Sequence, residues 1–514
     1  MANRPVEIRP ALGLALFIAA LILGSAAMLL ARADSWALAP ADLSALRFTV
    51  LQAALSALVS ATLAIPLARA LNRRRFRGRQ TLTRLLAAPF VLPVVVAVLG
   101  ILAVFGRSGP VNAALAALGL PPVSIFGLHG VVLANVFFNL PLATRMLLHG
   151  WQAIPAERFR LAASLSMPQG AQFRHLELPM LRAQIPGILT TIFLICLASF
   201  AIALTLGGGP KASTLELAIY QALRFDFDLG RAALLALIQF ALCATVTIAA
   251  ARLSLQQGFG AGQDRPATMQ APGGWRKPLD VAMILAAAMF LGAPLLAVIV
   301  KGLPGLDNLP PGLWQAALRS LGVALVSALL ASVAALTLAQ AAARRPALWF
   351  DLAAMLPLSA SGLVLGTGLF LMLHRFVSPA ELALPVTMLV NATLTLPYLY
   401  RLLLPEARQV VADYDRLTQS LGLPALSTLR YVTLPRLARP LGYGAGIAAA
   451  LSMGDLGVIA LFADGNGATL PLLVQHLIGA YRMEQAAAAA LVLIGLSFGL
   501  FWMFDRIGGW FADA

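Results

Sequence analysis

Charged residues are scarce in this chain. Asp, Glu, Lys and Arg make up 11% of its 514 residues, whereas 60% are hydrophobic and the mean hydropathy is +0.85. A water-soluble protein contains about 25% charged residues, so the composition excludes a soluble globular enzyme. The apolar residues come in about twelve runs, each of roughly 20 residues, which as a helix crosses the ~30 Å of bilayer hydrocarbon. We therefore predict an all-α polytopic membrane protein with about 12 transmembrane helices.

Cysteine and histidine are also scarce, which argues against disulfide or metal chemistry. Cys196 and Cys243 both fall inside apolar runs, and the five histidines are dispersed without the spacing of a zinc site. No nucleophile–base pair stands out. The phosphate-binding pattern G-x-x-x-x-G-K-[ST] is missing; its nearest approach, residues 207–213, has Pro210 and Ala212 beside the lysine. We expect no enzyme active site, no ATPase motif, no metal and no cofactor bound by this chain.

Basic residues are in excess, and their positions indicate the topology. The net charge is +16, and with the N-terminus inside and the spans alternating, 27 of the 37 basic residues fall on the inner side. This is the pattern of the positive-inside rule, so we predict cytoplasmic N- and C-termini. This distribution explains the charge without nucleic-acid binding, and membrane lipid is an expected partner. The first apolar run is longer than the 7–15 residues of a signal peptide, which favours an uncleaved first span.

A repeat relates the two halves of the chain. Sixteen residues recur at a constant offset of 256 when 135–181 is laid on 391–437, with no gap. We predict two parallel six-helix repeats, residues 1–254 and 280–514, joined by a cytoplasmic linker at 255–279. Six is even, so both halves cross the membrane in the same sense.

The repeated unit includes a polar loop after the fourth span of each half, at about 151–182 and 405–440. Short helices are predicted at 157–166 and 413–422, each followed by a bend and a second short helix that ends at a Leu-Pro pair. Leucines at spacing i, i+4 share one face of the first helix in each loop. Such short helices cannot cross a bilayer, so we expect them on the cytoplasmic face with an apolar side open to a partner. Ordinary interfacial helices on lipid headgroups are the alternative.

These loops resemble the EAA loops of permease subunits in bacterial binding-protein-dependent ABC importers. They read RLAASLS at 160–166 and RLTQSLG at 416–422, departing from the family pattern at the acidic position and, in the first copy, at the glycine. The likeness is greatest to the fused permeases of thiamine/thiamine-pyrophosphate importers. It is carried by stretches at 73–78, 137–145, 206–223, 231–239, 451–462 and 479–482. Fused ferric-iron permeases and twelve-span secondary transporters remain as alternatives.

The resemblance implies a transport subunit of the bacterial inner membrane that is driven by partners. Each loop would insert a coupling helix into one of two copies of a cytoplasmic ABC ATPase, which uses ATP and Mg²⁺, and a periplasmic protein would deliver the substrate. The docking residues implied are Arg160, Leu161, Ala162, Ser164, Leu165 and Ser166 in the first loop, and Arg416, Leu417, Ser420, Leu421 and Gly422 in the second.

Three polar residues within the spans are candidates for the substrate path. Asp455 is an ionisable residue inside the eleventh apolar run, where it would offset the fixed positive charge of thiamine. Asn135 and Asn139 lie one helical turn apart on the fourth span. The alternatives are an arginine partner or a helix-capping role for Asp455, and helix–helix hydrogen bonds for the two asparagines.

Overall fold

A computed structural model describes residues 9–33, 36–86, 91–209, 212–253, 276–463 and 467–513. Within these ranges the regular structure is helical throughout, and no strand occurs. Eleven helical segments are long and apolar enough to cross a membrane, and a pair bent by 93° at 360–361 makes a twelfth if counted as one span. The predicted all-α polytopic fold is confirmed. Most of the predicted linker lies outside the described residues.

The described residues of the first half form twelve α-helices, which we number along the chain. They are α1 Arg9–Arg32, α2 Pro40–Arg73, α3 Arg79–Leu85, α4 Val94–Phe105, α5 Pro110–Ala117, α6 Leu128–Gln152, α7 Ala156–Ser164, α8 Gln169–Gln172, α9 Leu178–Leu197, α10 Phe200–Leu206, α11 Leu215–Arg224 and α12 Leu229–Leu253.

The second half, up to Asp513, adds ten helices to the described structure. They are α13 Arg276–Gly302, α14 Leu313–Arg344, α15 Leu348–Met355, α16 Gly362–Leu373, α17 Pro379–Ser420, α18 Ala425–Thr428, α19 Leu434–Met453, α20 Gly457–Phe462, α21 Leu470–Gly479 and α22 Met483–Asp513.

The centre of each half is a three-helix bundle. Helices α2, α6 and α9 pack together in the first half, and α14, α17 and α19 pack together in the second. Small residues line these contacts, with Ala53, Ala57, Ala61 and Ala64 buried along one face of α2. In lipid, helices associate through close packing of small residues rather than through the hydrophobic effect.

The first helix of each half crosses to the other half. Helix α1 packs against α14, α15 and α16, and α13 packs against α2 and α4. The buried residues of α1 recur every three or four positions from Ala11 to Leu29, so one stripe faces protein and the remainder faces outward. Although these contacts are reciprocal, the division into two equivalent repeats stays a prediction.

The predicted fifth and eleventh spans are not continuous helices. Helix α9 ends at Leu197 and α10 begins at Phe200, while α19 ends at Met453 and α20 begins at Gly457. Each break leaves backbone carbonyls without a helical partner, and in a membrane these must be satisfied by protein groups. At the first break, Gln52 donates to the Cys196 carbonyl (2.7 Å) and Gln239 donates to the Leu197 carbonyl (2.9 Å). These two carbonyls therefore have protein partners.

Candidate functional site

Two segments related by the offset of 256 connect a central helix to the next span. We call residues 156–177 the first loop segment and 412–433 the second loop segment. In each, a four-residue helix (α8 or α18) is followed by a π-helical turn, at Phe173–Glu177 and Leu429–Thr433, and then by the span α9 or α19. The element bounds correspond residue for residue from α8 to the end of α9.

The bend in each segment is a Schellman-type helix end. Ser166 and Gly422 both have left-handed backbone conformations, with φ of 48° and 61°. The Met167 N–H donates to the Ala162 carbonyl at 2.9 Å, and the Leu423 N–H donates to the Thr418 carbonyl at 3.0 Å. These are the carbonyls that a helix C-terminus leaves free. The predicted bends are therefore confirmed, and the family glycine falls where the chain needs a positive φ.

Both segments present a pair of exposed leucines. Leu161 and Leu165 are 60% and 64% exposed, and Leu417 and Leu421 are 52% and 64% exposed. Ala162 is buried; the remaining residues implied as docking residues are all exposed. The structure therefore leaves matching apolar faces uncovered within this chain. A docking role for them stays a prediction.

The second loop segment differs from the prediction because its first helix is not a separate element. Helix α17 runs without a break from Pro379 to Ser420, whereas α6 ends at Gln152 and α7 begins at Ala156. Proline restricts the preceding residue to extended conformations, and Pro155 interrupts the first copy. Val411 stands at the matching position of the second copy and allows the helix to continue.

The prediction that the second short helix of each loop ends at its Leu-Pro pair was wrong. Leu178-Pro179 and Leu434-Pro435 begin α9 and α19, and the π-helical turns run straight into these spans. A proline is tolerated at the first positions of a helix because its missing N–H needs no partner there. The loop segments are therefore joined mechanically to the spans that follow them.

Glu177 anchors the first loop segment to the bundle. Its carboxylate accepts hydrogen bonds from Arg69 Nε (2.6 Å) and Nη2 (2.9 Å), and from Trp151 Nε1 (3.3 Å). Arg73 Nη2 lies 3.5 Å from the same carboxylate. Glu177 is fully buried, and buried carboxylates require such partners. Sequence reasoning missed Glu177. A signal was present, because Thr433 stands at the matching position of the second copy and the repeat is therefore interrupted by an acid.

Asp455 lies in the break between α19 and α20, and not within a continuous span as predicted. The backbone N–H groups of Gly457–Ile459 and the Asn391 side chain interact with the carboxylate. Its Oδ2 atom is buried and accepts no hydrogen bond from the described residues. The site is thus a carboxylate at the start of a short helix, where a negative charge is favoured.

A second buried carboxylate, which comes from the other half, interacts electrostatically with Asp455. Glu216, on α11, is 2% exposed and interacts with the Ser361 hydroxyl, the Phe200 backbone and, electrostatically, Asp455. Neither carboxylate takes part in the ion pairs found among the described residues. Two like charges without a cation are unfavourable in a membrane interior, so the pair is chemically suited to a cationic group. Glu216 could not be singled out from the sequence because Asp455, with which it interacts, is distant in the chain.

Asn135 and Asn139 lie in a hydrogen-bond network between helices. Asn135 donates to Gln52 Oε1 at 2.8 Å, and Asn139 donates to the Asn135 carbonyl at 2.8 Å and faces Cys196 Sγ at 3.3 Å. Both side chains are buried. The network joins α2, α6 and α9, which is the helix–helix role considered above; contact of these asparagines with substrate stays a prediction.

Comparison with known proteins identifies the family. The chain is 42% identical to the thiamine transport system permease proteins ThiP of Salmonella typhimurium and Escherichia coli over 484 residues, 90% of this chain and 88% of each relative. It is 39% identical to ThiP of Brucella abortus over 477 residues, 90% of this chain and 87% of the relative. The chain belongs to the ThiP family of permease proteins. No protein-family model matches it.

The match to the ThiP proteins includes residues of both halves, because it spans 90% of the chain. The family resemblance noted from the sequence is therefore confirmed, and the ferric-iron permease alternative is not favoured.

Proposed function

We propose that this protein is the permease subunit of a binding-protein-dependent ABC importer that moves thiamine or thiamine pyrophosphate into the cytoplasm. The observation that carries the proposal is the match to thiamine permeases over nine-tenths of the chain. The chain is a multi-pass membrane protein of the inner membrane. The orientation with both termini in the cytoplasm is supported by the distribution of arginine and lysine.

The loop segments would dock the ATPase subunits. Two exposed leucine pairs at corresponding positions suit two copies of one ATPase, because a symmetric partner requires two similar surfaces. Apolar anchors on a short helix fit a groove in a partner protein. A periplasmic binding protein would deliver thiamine to the opposite face, and ATP with Mg²⁺ would be used by the ATPase alone.

The Glu216–Asp455 pair would stabilise the cationic substrate as it passes between the halves. Thiamine carries a fixed positive charge on its thiazolium ring, and a cation in a low-dielectric interior needs a counter-charge. Asp455 comes from the second half and Glu216 from the first. A relative movement of the halves would therefore change the separation of the two carboxylates, and with it the affinity for the cation.

Reconstitution tests the proposed function. The purified chain, its ATPase and its thiamine-binding protein are placed in proteoliposomes, and uptake of radiolabelled thiamine is followed with and without ATP. We expect ATP-dependent uptake. Uptake of ferric iron in place of thiamine, or thiamine uptake that needs no ATPase, would contradict the proposal.

The same system tests docking. Replacing Leu161 and Leu165 by Ser removes two apolar anchors, each worth about 1.5–3 kcal/mol when buried. We expect ATPase binding to weaken at least about tenfold, as measured by co-purification in detergent. Leu118→Ser is the matched control, since Leu118 is 74% exposed but lies outside both loop segments. Unchanged binding in the double variant would remove the docking role.

A further inference from the structure

The two loop segments are held to their bundles in different ways. In the first loop segment the helix is interrupted between Gln152 and Ala156, so α7 is not a rigid extension of α6. In the second loop segment the bundle helix α17 itself continues to Ser420. Leu417 lies on this helix, and Leu421 is the residue that caps its end. A force applied to α7 therefore needs another route into the first bundle.

The buried ion pair at Glu177 supplies such a route. Arg69 forms a bidentate pair with the carboxylate and also lies over the Phe173 ring at 4.7 Å. Arg69 belongs to α2, Trp151 belongs to α6, and Glu177 ends the π-helical turn that leads into α9. The contact thus connects the loop segment with all three helices of the first bundle. Bidentate arginine–carboxylate pairs fix orientation as well as distance.

The end of α2 also forms an ion pair with the other half. Arg74 Nε lies 2.7 Å from Asp280 Oδ2 on α13. Because Arg69, Arg73 and Arg74 lie together at the C-terminal end of α2, this helix end contacts both Glu177 and α13.

The matching place in the second half contains no ion pair among the described residues. A cavity of about 20 Å³ lies there, and its lining includes Gln340, Arg344, Asp415 and Thr433. Thr433 donates its hydroxyl only to the Thr428 carbonyl of its own segment, at 3.3 Å. The continuous helix α17 makes a tether to α14 unnecessary there.

We propose that Glu177 is a positioning residue for energy coupling: it ties the first loop segment to α2, α6 and α9, so that movement of a docked ATPase reaches the first bundle. The second bundle receives the same movement through α17. The inference rests on the proposed function, because it requires an ATPase at the loop segments. It assigns unequal mechanics to two surfaces that the sequence repeat presents as equivalent.

The test measures coupling rather than binding. Glu177→Gln keeps the side-chain volume and removes the charge, and the complete transporter is assayed in proteoliposomes for ATPase binding, ATP hydrolysis and thiamine imported. We expect ATPase binding to stay within about twofold, hydrolysis to persist, and thiamine imported per ATP hydrolysed to fall about tenfold. Glu177→Asp, which keeps the charge, should restore part of this ratio. Thr433→Val is the matched control in the second half and should leave the ratio at the wild-type value.

Three outcomes separate the possibilities. A wild-type ratio in Glu177→Gln, with the ATPase bound, overturns the inference, even where the variant melts at lower temperature. Failure of the wild-type chain to bind the ATPase overturns the proposed function instead. If Glu177→Gln does not accumulate in the membrane, the apolar pair Arg69→Met with Glu177→Met decides, since such replacements retain folding in many proteins; a wild-type ratio there also overturns the inference.

Discussion

At the turn that ends α7, one side chain is in a backbone conformation that suits glycine. Ser166 has φ of 48°, whereas Gly422 fills the same position of the second loop segment. A residue with a Cβ in the left-handed region costs about 1–2 kcal/mol. Glycine avoids this cost, although the greater freedom of glycine in the unfolded chain offsets part of the advantage. Ser166 therefore makes the first turn weaker than the second.

We expect Ser166→Gly to stabilise that turn by about 0.5–1 kcal/mol. In hydrogen–deuterium exchange the Met167 amide, which is bonded to the Ala162 carbonyl, should exchange up to about fivefold more slowly. Gly422→Ala should have the opposite effect at Leu423. Gly170→Ala, at a position with open space around its Cα, is the control. Faster exchange in Ser166→Gly would show that the left-handed strain is not limiting.

The buried carboxylate in the α19–α20 break gives a second prediction at this scale. Asp455→Asn retains the shape of the side chain and removes the negative charge that we propose as the counter-ion of the thiazolium ring. Thiamine uptake should fall about tenfold or more, the effect of losing one charge-assisted contact, while ATPase binding stays unchanged. Glu216→Gln should weaken uptake in the same direction. Normal uptake by Asp455→Asn, at normal membrane levels, would assign Asp455 a purely helix-capping role.

Individual residues were predicted where chain neighbours determine them. The leucine pairs follow from helical spacing, and the departure at Ser166 is visible beside Gly422. Glu177 and Glu216 were missed because their significance lies in partners more than 100 positions away: Arg69 for the first, and Asp455 for the second.

Among the helices, the interrupted spans depend on polar side chains from neighbouring elements. The carbonyls of Cys196 and Leu197 lose their helical partners at the α9–α10 break, and Gln52 and Gln239 replace them. Gln52 also accepts from Asn135. One glutamine thus connects the break to two other helices of the bundle.

Gln52→Leu should therefore destabilise the first bundle. It leaves the Asn135 amide unsatisfied in the interior, at a cost of about 1–3 kcal/mol, and it leaves the Cys196 carbonyl with the Ser199 hydroxyl (2.9 Å) as its remaining side-chain donor. The melting temperature in nanodiscs should fall, with a larger drop than for Thr62→Val, whose hydroxyl is exposed and bonds only within its own helix. Equal melting temperatures would indicate that water or lipid replaces the lost donor.

The spans were predictable because hydrocarbon thickness sets their length and excludes unpaired backbone groups. The break at 198–199 was not predictable, since the sequence stays largely apolar across it. At 454–456 the signal was Asp455, for which helix capping was one alternative. The length of α17 was also missed. Three prolines lie inside it, and prolines normally predict helix ends; within a membrane, neighbouring helices satisfy the freed carbonyls.

Across the whole molecule, glycines allow the two halves to approach where the first helices cross over. A Cβ added at Gly100 on α4 would meet the Pro294 carbonyl oxygen of α13 at 2.5 Å, and one at Gly368 on α16 would meet Ser25 Cβ of α1 at 2.5 Å. Both crossings are thus close backbone contacts of the kind that small residues allow in membranes.

Gly100→Leu and Gly368→Leu should each separate the halves. Overpacking of this kind costs about 1–3 kcal/mol, and the expected result is a lower melting temperature with reduced ATP-dependent uptake. Gly24→Leu and Gly292→Leu are matched controls on α1 and α13, at positions with no atom within 4 Å of the added Cβ. If the controls and the test variants melt alike, the crossings do not limit stability.

The reciprocal crossing also governs how the chain matures at the ribosome. Helix α4 ends at Phe105, but its neighbour α13 begins only at Arg276, and α1 meets α16 only once Leu373 has been made. At translation rates of about 5–20 residues per second, α1 waits roughly 17–70 seconds for this contact. During that interval α12 is the partner of α1 that the first half itself provides, and lipid must cover the part of the stripe from Ala11 to Leu29 that later faces α14, α15 and α16. A newly inserted first half is therefore an open intermediate that the later helices close.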